Sequence, residues 1–260
     1  MRGGDETLKI LLITVAGMSK RFSESVGKEC LKCIYYNQGI EESLLYRLLH
    51  QSESFDKYIL VGGFMFEELQ KEIEQHFKEM QNKIILVKND KYKEYGSGYS
   101  LYKGLEEAVK LQFDELIFTE GDLFFDRASF RKIVSAEKNV ITYNRDPIWA
   151  NKAVAFYFDQ NYQIHYTYDG NHRVLEIVEP FLGIFNSGQV WKFFEFDRVK
   201  NIMKSMNEEA WKGTNLVFIQ KYFESMQNQK YELIGFENWI NCNTIIEFEK
   251  IGGDKFECEH

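Results

Sequence analysis

The stretch that most restricts the fold is 8–15, LKILLITV, an aliphatic run rich in β-branched residues and lacking polar alternation. Such a run reads as a strand buried on both faces, the kind found in parallel sheets covered by helices on either side. It breaks into Ala16-Gly17-Met18-Ser19-Lys20-Arg21-Phe22, a turn of small residues followed by cations. A chain that leaves a buried parallel strand in this way places backbone N–H groups and positive charge beyond the strand's carboxyl end, where open α/β sheets bind their ligands.

Short apolar segments then alternate with helical ones. The patterns predict a helix over 41–51, a strand over 58–61 ending in Gly62-Gly63, an amphipathic helix over 66–80 and a strand over 83–87. A helix over 99–111 and a strand over 115–119 follow, the strand running into the acidic tip Glu120-Gly121-Asp122. This alternation predicts the α/β class: a doubly wound, mostly parallel, Rossmann-like sheet flanked by helices. Over 152–185, turns at Asp159-Gln160-Asn161 and Asp169-Gly170-Asn171 separate strands, which predicts a small antiparallel insertion. Helices over 188–196 and 215–224, a strand over 231–236 and a helix over 245–251 complete the expected order.

With 260 residues, 44% of them hydrophobic, the chain is long enough for one ordinary core, and its two prolines leave no linker at which to divide it. A net charge of -8 argues against nucleic acid as partner, because phosphate backbones are held by clustered Lys and Arg. A small anion held by a few local cations remains allowed. No apolar stretch reaches the roughly 18 to 20 residues of a membrane span, and 1–7 is polar and Gly-rich, so no membrane role and a cytoplasmic location are expected. Four cysteines in a chain of this size do not make a disulfide scaffold. Cys30-Leu31-Lys32-Cys33 has the spacing of half a zinc site, with Cys242, Cys258 and His260 as conceivable partners, but no second close pair completes it.

The turn after the first strand, with Gly17, Ser19, Arg21 and Lys32, resembles the start of the nucleotidyltransferase superfamily, which includes sugar-1-phosphate nucleotidyltransferases and choline-phosphate cytidylyltransferases. The signature there runs Ala-Gly-x-Gly-x-Arg, then Pro-Lys; this chain has Ser19 at the second glycine and Leu31 before Lys32. Either Lys28 or Lys32 can be the matching lysine, and Lys32-Cys33-Ile34 fits the continuation better. Further matches come in order: Val61-Gly62-Gly63, then Asn89-Asp90-Lys91-Tyr92 with Ser97 and Ser100-Leu101 as the base-side loop, then Glu120-Gly121-Asp122. Ile240-Asn241-Cys242-Asn243-Thr244 with Glu247-Phe248 resembles the closing element that carries a second metal ligand, at Asn243 or Asn241.

The resemblance implies an enzyme that transfers a nucleoside monophosphate, with CTP favoured, to a small phosphorylated metabolite, as in making precursors of cell-surface polysaccharides. It implies Arg21 and Lys32 as catalytic cations, Ala16, Gly17, Ser19, Gly62, Asn89, Ser97 and Ser100 around the nucleotide, and Mg2+ on Asp122 and Asn243. The nucleotide would then lie on about 8–143 and 231–251, and the acceptor on 144–225. A phospho-amino acceptor is expected from the aromatic content of that segment, with Trp149, Tyr157, Tyr166, Tyr168, Trp191 and Trp211 offering faces and Asp146 and Glu179 offering charge. Trp149, Glu179 and Trp211 are the acceptor residues it singles out. A homodimer is compatible with all of this.

The residue types suit the chemistry. Mg2+ takes hard oxygen ligands and usually only one or two from protein. In-line attack at phosphorus needs positioning and charge neutralisation, and a phosphomonoester oxygen is already ionised near neutrality. Plainer readings stay open here: an ordinary strand-to-helix turn for 17–21, a helix N-cap for Asp122 or for Asn243. So do a sugar-1-phosphate uridylyl- or thymidylyltransferase and a nucleotide-binding regulatory module without catalysis. A dinucleotide oxidoreductase is disfavoured, since Gly-x-Gly-x-x-Gly is absent.

Overall fold

A computed structural model describes residues 7–51, 55–149, 154–167 and 175–253. The expected turn at Asp169-Gly170-Asn171, Tyr168, Cys258, His260 and residues 1–6 lie outside them. The strands are β1 (Lys9–Val15), β2 (Lys57–Gly62), β3 (Ile84–Lys88), β4 (Glu115–Glu120), β5 (Leu123–Phe125), β6 (Asn139–Asn144), β7 (Ala155–Asp159), β8 (Ile164–Thr167), β9 (Phe181–Phe193), β10 (Tyr231–Gly235) and β11 (Trp239–Asn241). The helices are α1 (Lys20–Val26), α2 (Leu44–His50), α3 (Phe66–His76), α4 (Ser97–Leu111), α5 (Arg127–Ser135), α6 (Phe196–Ser205), α7 (Glu208–Lys212), α8 (Leu216–Phe223) and α9 (Ile245–Gly253).

The main sheet has the order β10-β6-β9-β4-β1-β2-β3, and β7 with β8 extends it from the first half of β9. The pairs among β4, β1, β2 and β3 are parallel, as is β10 with β6, whereas β9 is antiparallel to both of its neighbours. The mostly parallel α/β sheet read from the sequence is therefore the observed one. The first strand shows why its pattern is continuous. Ile10 and Leu12 enter one core with Leu101 and Leu105 of α4 and Phe218 of α8, while Leu11 and Ile13 enter the other with Leu45 and Leu48 of α2 and Leu69 of α3. Both faces are covered, so the middle of the strand, Ile10 to Ile13, is wholly apolar.

One expected element is corrected. The segment 188–196 was expected as a helix, but its residues to Phe193 form the second half of β9, which lies between β4 and β6. Gln189 and Lys192 interrupt the apolar run and imitate helical spacing, yet both are buried. Lys192 is held there by Glu115 at 2.9 Å, so a charge that reads as surface is satisfied inside the sheet. The stretch 144–225 thus supplies a central strand as well as the antiparallel β7 and β8. Among the described residues no helix is long and apolar enough to cross a membrane.

Candidate active site

Parallel strands β1 and β4 end side by side, with Thr14 opposite Glu120, and the chain after each lines one cleft of about 330 Å³. Its walls are the turn after β1 (Ala16, Gly17, Ser19), the turn bearing Lys32, the loop and helix start with Tyr92, Tyr95, Ser97 and Ser100, and the β4 tip with Glu120 and Asp122. That volume suits a small-molecule ligand. A Cβ on Gly17 would meet nothing within 4 Å, so the backbone there is open to the cleft. Ser19 adopts φ 51°, a left-handed conformation that glycine enters freely, which accounts for the glycine in the signature it replaces.

Two short strands assemble the polar end of the cleft. β5 pairs antiparallel with β11, Leu123 opposite Asn241, and Cys242 N–H donates to the Asp122 carbonyl at 2.8 Å. This ladder sets Asp122 beside Asn243, although they are far apart in sequence. Lys32 Nζ donates to Asp122 Oδ2 at 2.9 Å and to Asn243 Oδ1 at 3.2 Å, and Arg21 donates to the same Asn243 oxygen at 3.0 Å. Asn243 Nδ2 donates to Asn241 Oδ1 at 2.7 Å, which turns the Asn243 oxygen toward the cations. Lys28 is exposed, so Lys32 is the lysine at Asp122.

The capping alternatives are resolved by the neighbours. Asp122 precedes β5, and the cap of α5 is Asp126, whose Oδ1 accepts from Ser129 N at 2.7 Å. At α9, Glu247 Oε2 accepts from Asn243 N and from Thr244 N and Oγ1, while Thr244 Oγ1 accepts from Glu247 N. This reciprocal pair is a capping box with Thr244 as cap. The side chain of Asn243 is left to Lys32, Arg21 and Asn241, beside the cleft rather than among its lining residues.

The wall formed by Tyr92, Tyr95, Ser97 and Ser100 is braced from behind. Asn89 is buried and lies outside the cleft lining; its Nδ2 donates to Ser100 Oγ at 2.9 Å and its Oδ1 accepts from Lys91 N. Gly62 also lies behind the lining: a Cβ there would sit 2.7 Å from Leu69 Cδ2, so the glycine serves the packing of α3. Gly96 N donates to Lys212 O at 2.7 Å, Gly98 N to Gly213 O at 3.0 Å, and Asn215 N to Ser97 Oγ at 3.1 Å. The loop is therefore stitched to the connection between α7 and α8.

Of the expected acceptor residues, Trp211 is buried between Tyr102 and Phe218, and Trp191 and Tyr166 are buried with Trp191 Nε1 donating to Tyr166 Oη. Packing holds these rings, and none of them lines the cleft. Trp149 is exposed, and Glu179, also exposed, accepts from Tyr157 Oη at 2.6 Å. Neither is among the cleft-lining residues.

Sequence reasoning did not select Glu120 or Asn215 as site residues. Glu120 lines the cleft, and Asn215 Nδ2 donates to its Oε1 at 2.7 Å. Burial, followed by the neighbouring Asp122 charge, pushes the Glu120 carboxyl up to about 7 against the opposing effects of Asn215 and Lys32. The acidic tip signalled Glu120; nothing local signals Asn215, which precedes α8. Burial raises the thiols of Cys33, in the cleft, and Cys242, behind it, to about 12. They stay protonated near neutrality and are poor metal ligands.

The polar end fits a divalent cation of the Mg2+ type. Asp122 Oδ1 is buried without a hydrogen-bond partner, Asp122 Oδ2 and Asn243 Oδ1 converge on one cation, and all three are hard oxygens. Among the described residues no group of three or more His, Cys, Asp and Glu converges as a zinc site would.

The fold aligns with that of the inositol-1-phosphate CTP transferase from T. maritima, with TM-score 0.65 and 17% identity, over 95% of this chain and 96% of that one. It also aligns with CTP:phosphocholine cytidylyltransferase from Streptococcus pneumoniae, with TM-score 0.64 and 14% identity, over 95% and 98%. A third is HddC from Yersinia pseudotuberculosis complexed with GMP-PN, with TM-score 0.59 and 16% identity, over 93% and 97%. At these identities the likeness establishes a shared fold. No curated protein matches the sequence. The family profile described as Domain of unknown function (DUF6564) matches residues 28–254.

Proposed function

The chain belongs to the DUF6564 family, and we propose that it is a Mg2+-dependent nucleotidyltransferase acting on a nucleoside triphosphate and a small phosphorylated acceptor. The observation that carries the reading is Lys32 Nζ bonded to both Asp122 and Asn243 at the ends of β1 and β4, with Arg21 on the same Asn243 oxygen. Transfer of this kind needs cations and a metal site around a phosphate, and no protein nucleophile.

The triphosphate lies along Ala16, Gly17 and Ser19, with Arg21 and Lys32 offsetting its charge, and the base lies against Tyr95, Ser97 and Ser100. Asp122 and Asn243 would hold Mg2+, which when bound would draw charge from the phosphate oxygens. An acceptor phosphate oxygen attacks the α-phosphorus, the bond from that phosphorus to the bridging oxygen breaks, and pyrophosphate leaves with the electron pair. The acceptor approaches from the side of 144–225. CTP and a phosphorylated amino compound are the favoured pair, supported by the base-side loop and by the two CTP-using proteins that share the fold.

The test is pyrophosphate release by the purified chain with each of four nucleoside triphosphates and Mg2+, against choline phosphate, 2-aminoethyl phosphate, a phosphorylated amino acid and glucose 1-phosphate. Release with CTP and an amino acceptor is expected. Release with UTP or dTTP and glucose 1-phosphate would reverse the substrate choice, and nucleotide binding without release under any pairing would make the chain a regulatory module.

A further inference from the structure

Asn241 and Asn243 stand two residues apart where β11 gives way to α9, and their amides are bonded to each other. Lys32 Nζ and Arg21, both donors, reach Asn243 Oδ1 at 3.2 and 3.0 Å. On the other side of the same amide, Nδ2 donates to Asn241 Oδ1 at 2.7 Å. The Asn243 carboxamide thus has cations on its oxygen and an acceptor on its nitrogen. Turned over, it would set N–H groups against two cations and oxygen against oxygen. Asn241 itself is fixed by its pairing with Leu123, so the acceptor belongs to the same β5–β11 ladder that sets Asp122 beside Asn243.

A carboxylate offers an oxygen whichever way it is turned, whereas a carboxamide turned over offers a metal only N–H. In the absence of metal, Lys32, Arg21 and Asn241 all favour the observed orientation. A divalent cation on the Asn243 oxygen would displace Lys32 and share that oxygen with Arg21. Only Asn241 holds the amide without competing for the oxygen.

We propose that Asn241 is a positioning residue of the metal site, which grips the Asn243 amide by its nitrogen and turns its oxygen to the cation. The assignment rests on the metal-dependent transfer reading above. It makes Asn243 the ligand of the two asparagines, since the Asn241 oxygen faces the Asn243 nitrogen. It also has a consequence peculiar to orientation: Asn241 matters only while residue 243 is an amide.

The experiment measures Mn2+ affinity by calorimetry in the wild-type chain, in Asn241→Ala, in Asn241→Asp, in Asn243→Asp, and in Asn241→Ala combined with Asn243→Asp. Asp122→Ala identifies the heat that belongs to this site. Asn241→Ala is expected to weaken Mn2+ binding about tenfold, the size of effect seen when a ligand loses its outer partner. Asn241→Asp keeps at least the wild-type affinity, because its carboxylate accepts the same N–H. In the Asn243→Asp background, Asn241→Ala changes the affinity by less than about twofold, so the two substitutions are not additive. Wild-type affinity in Asn241→Ala, or a loss in Asn241→Asp as large as in Asn241→Ala, overturns the role. An equal loss in both backgrounds overturns it too, by making Asn241 a ligand or a support of the strand pair. In each of these cases the metal site on Asp122 stands. A wild type with no Mn2+ binding beyond that of Asp122→Ala overturns the metal reading and the role of Asn241 with it.

Discussion

Lys32 donates to two of the three protein oxygens that a divalent cation would use, so ammonium and metal compete for those lone pairs. In the proposed reaction, coordination by those two oxygens would require Lys32 to move onto another anion, which the triphosphate would supply. Lys32→Met is therefore expected to bind Mn2+ about tenfold more tightly in the absence of nucleotide, while kcat/KM falls on the order of a hundredfold or more. Calorimetry and initial rates read the two effects separately, and equal Mn2+ affinity in both proteins would refute the competition. Asp122→Ala is expected to lose turnover and Mn2+ binding with its circular dichroism unchanged, since the Asp122 side chain lies at a strand end and outside the hydrophobic clusters. Retained activity in that variant, or full activity in EDTA, would remove it as the metal ligand.

Asp126 joins three elements. Its Oδ1 caps α5 through Ser129 N, and its Oδ2 accepts from Glu237 N and Asn238 N, each at 3.1 Å, in the turn between β10 and β11. Burial alone would raise its carboxyl, but the N–H groups of Ser129, Asn238 and Glu237 favour the charged form and hold it below the ordinary 3.8. Because the folded value is the lower one, the stabilisation is present above about pH 4 and is lost as pH falls through the folded value. Asp126→Ala should lower stability by about 1 to 2 kcal/mol at pH 7 and by less near pH 3, measured as urea midpoints. The loop that carries Ser97 depends on glycine for a steric reason. A Cβ on Gly96 would lie 2.4 Å from the carbonyl oxygen of Gly213, a backbone atom that cannot swing aside. Gly96→Ala should raise KM for the triphosphate by about tenfold or more as the loop leaves the α7–α8 connection.

Across the whole molecule, β9 is what ties the two halves of the sheet together, and Lys192 is its buried charge. Its ammonium bonds the carbonyls of Val134, in the last turn of α5, and Ala136, just past it, each at 2.7 Å, and pairs with Glu115 of β4. Burial lowers the Lys192 pKa, and Glu115 opposes that shift. Glu115→Gln would leave the ammonium without its counter-charge and should cost roughly 3 kcal/mol, more than Glu115→Gln combined with Lys192→Met, in which no buried charge remains. Thermal or urea unfolding of the single and double variants decides it; equal losses would mean that the pair contributes only packing.

The local patterns that sufficed were those in which one residue type must repeat along one element. The run at 8–15 had to be a strand covered on both faces, because no other element places consecutive aliphatic side chains alternately in two cores. The turn at Gly17 and Ser19 could likewise be read where it stands, since a tight turn after a strand restricts residue size and conformation locally. The segment 188–196 could not. Whether Lys192 is solvated or buried depends on Glu115 and on two carbonyls at the end of α5, none of which is near it in the chain. For the same reason the convergence of Lys32 with Asp122 and Asn243 depends on the β5–β11 ladder, and the pairing of Glu120 with Asn215 depends on how α8 packs on the sheet. Hydrophobic periodicity reports which face of an element is covered; contacts between side chains distant in sequence follow from how those covered faces stack, which only the folded chain decides.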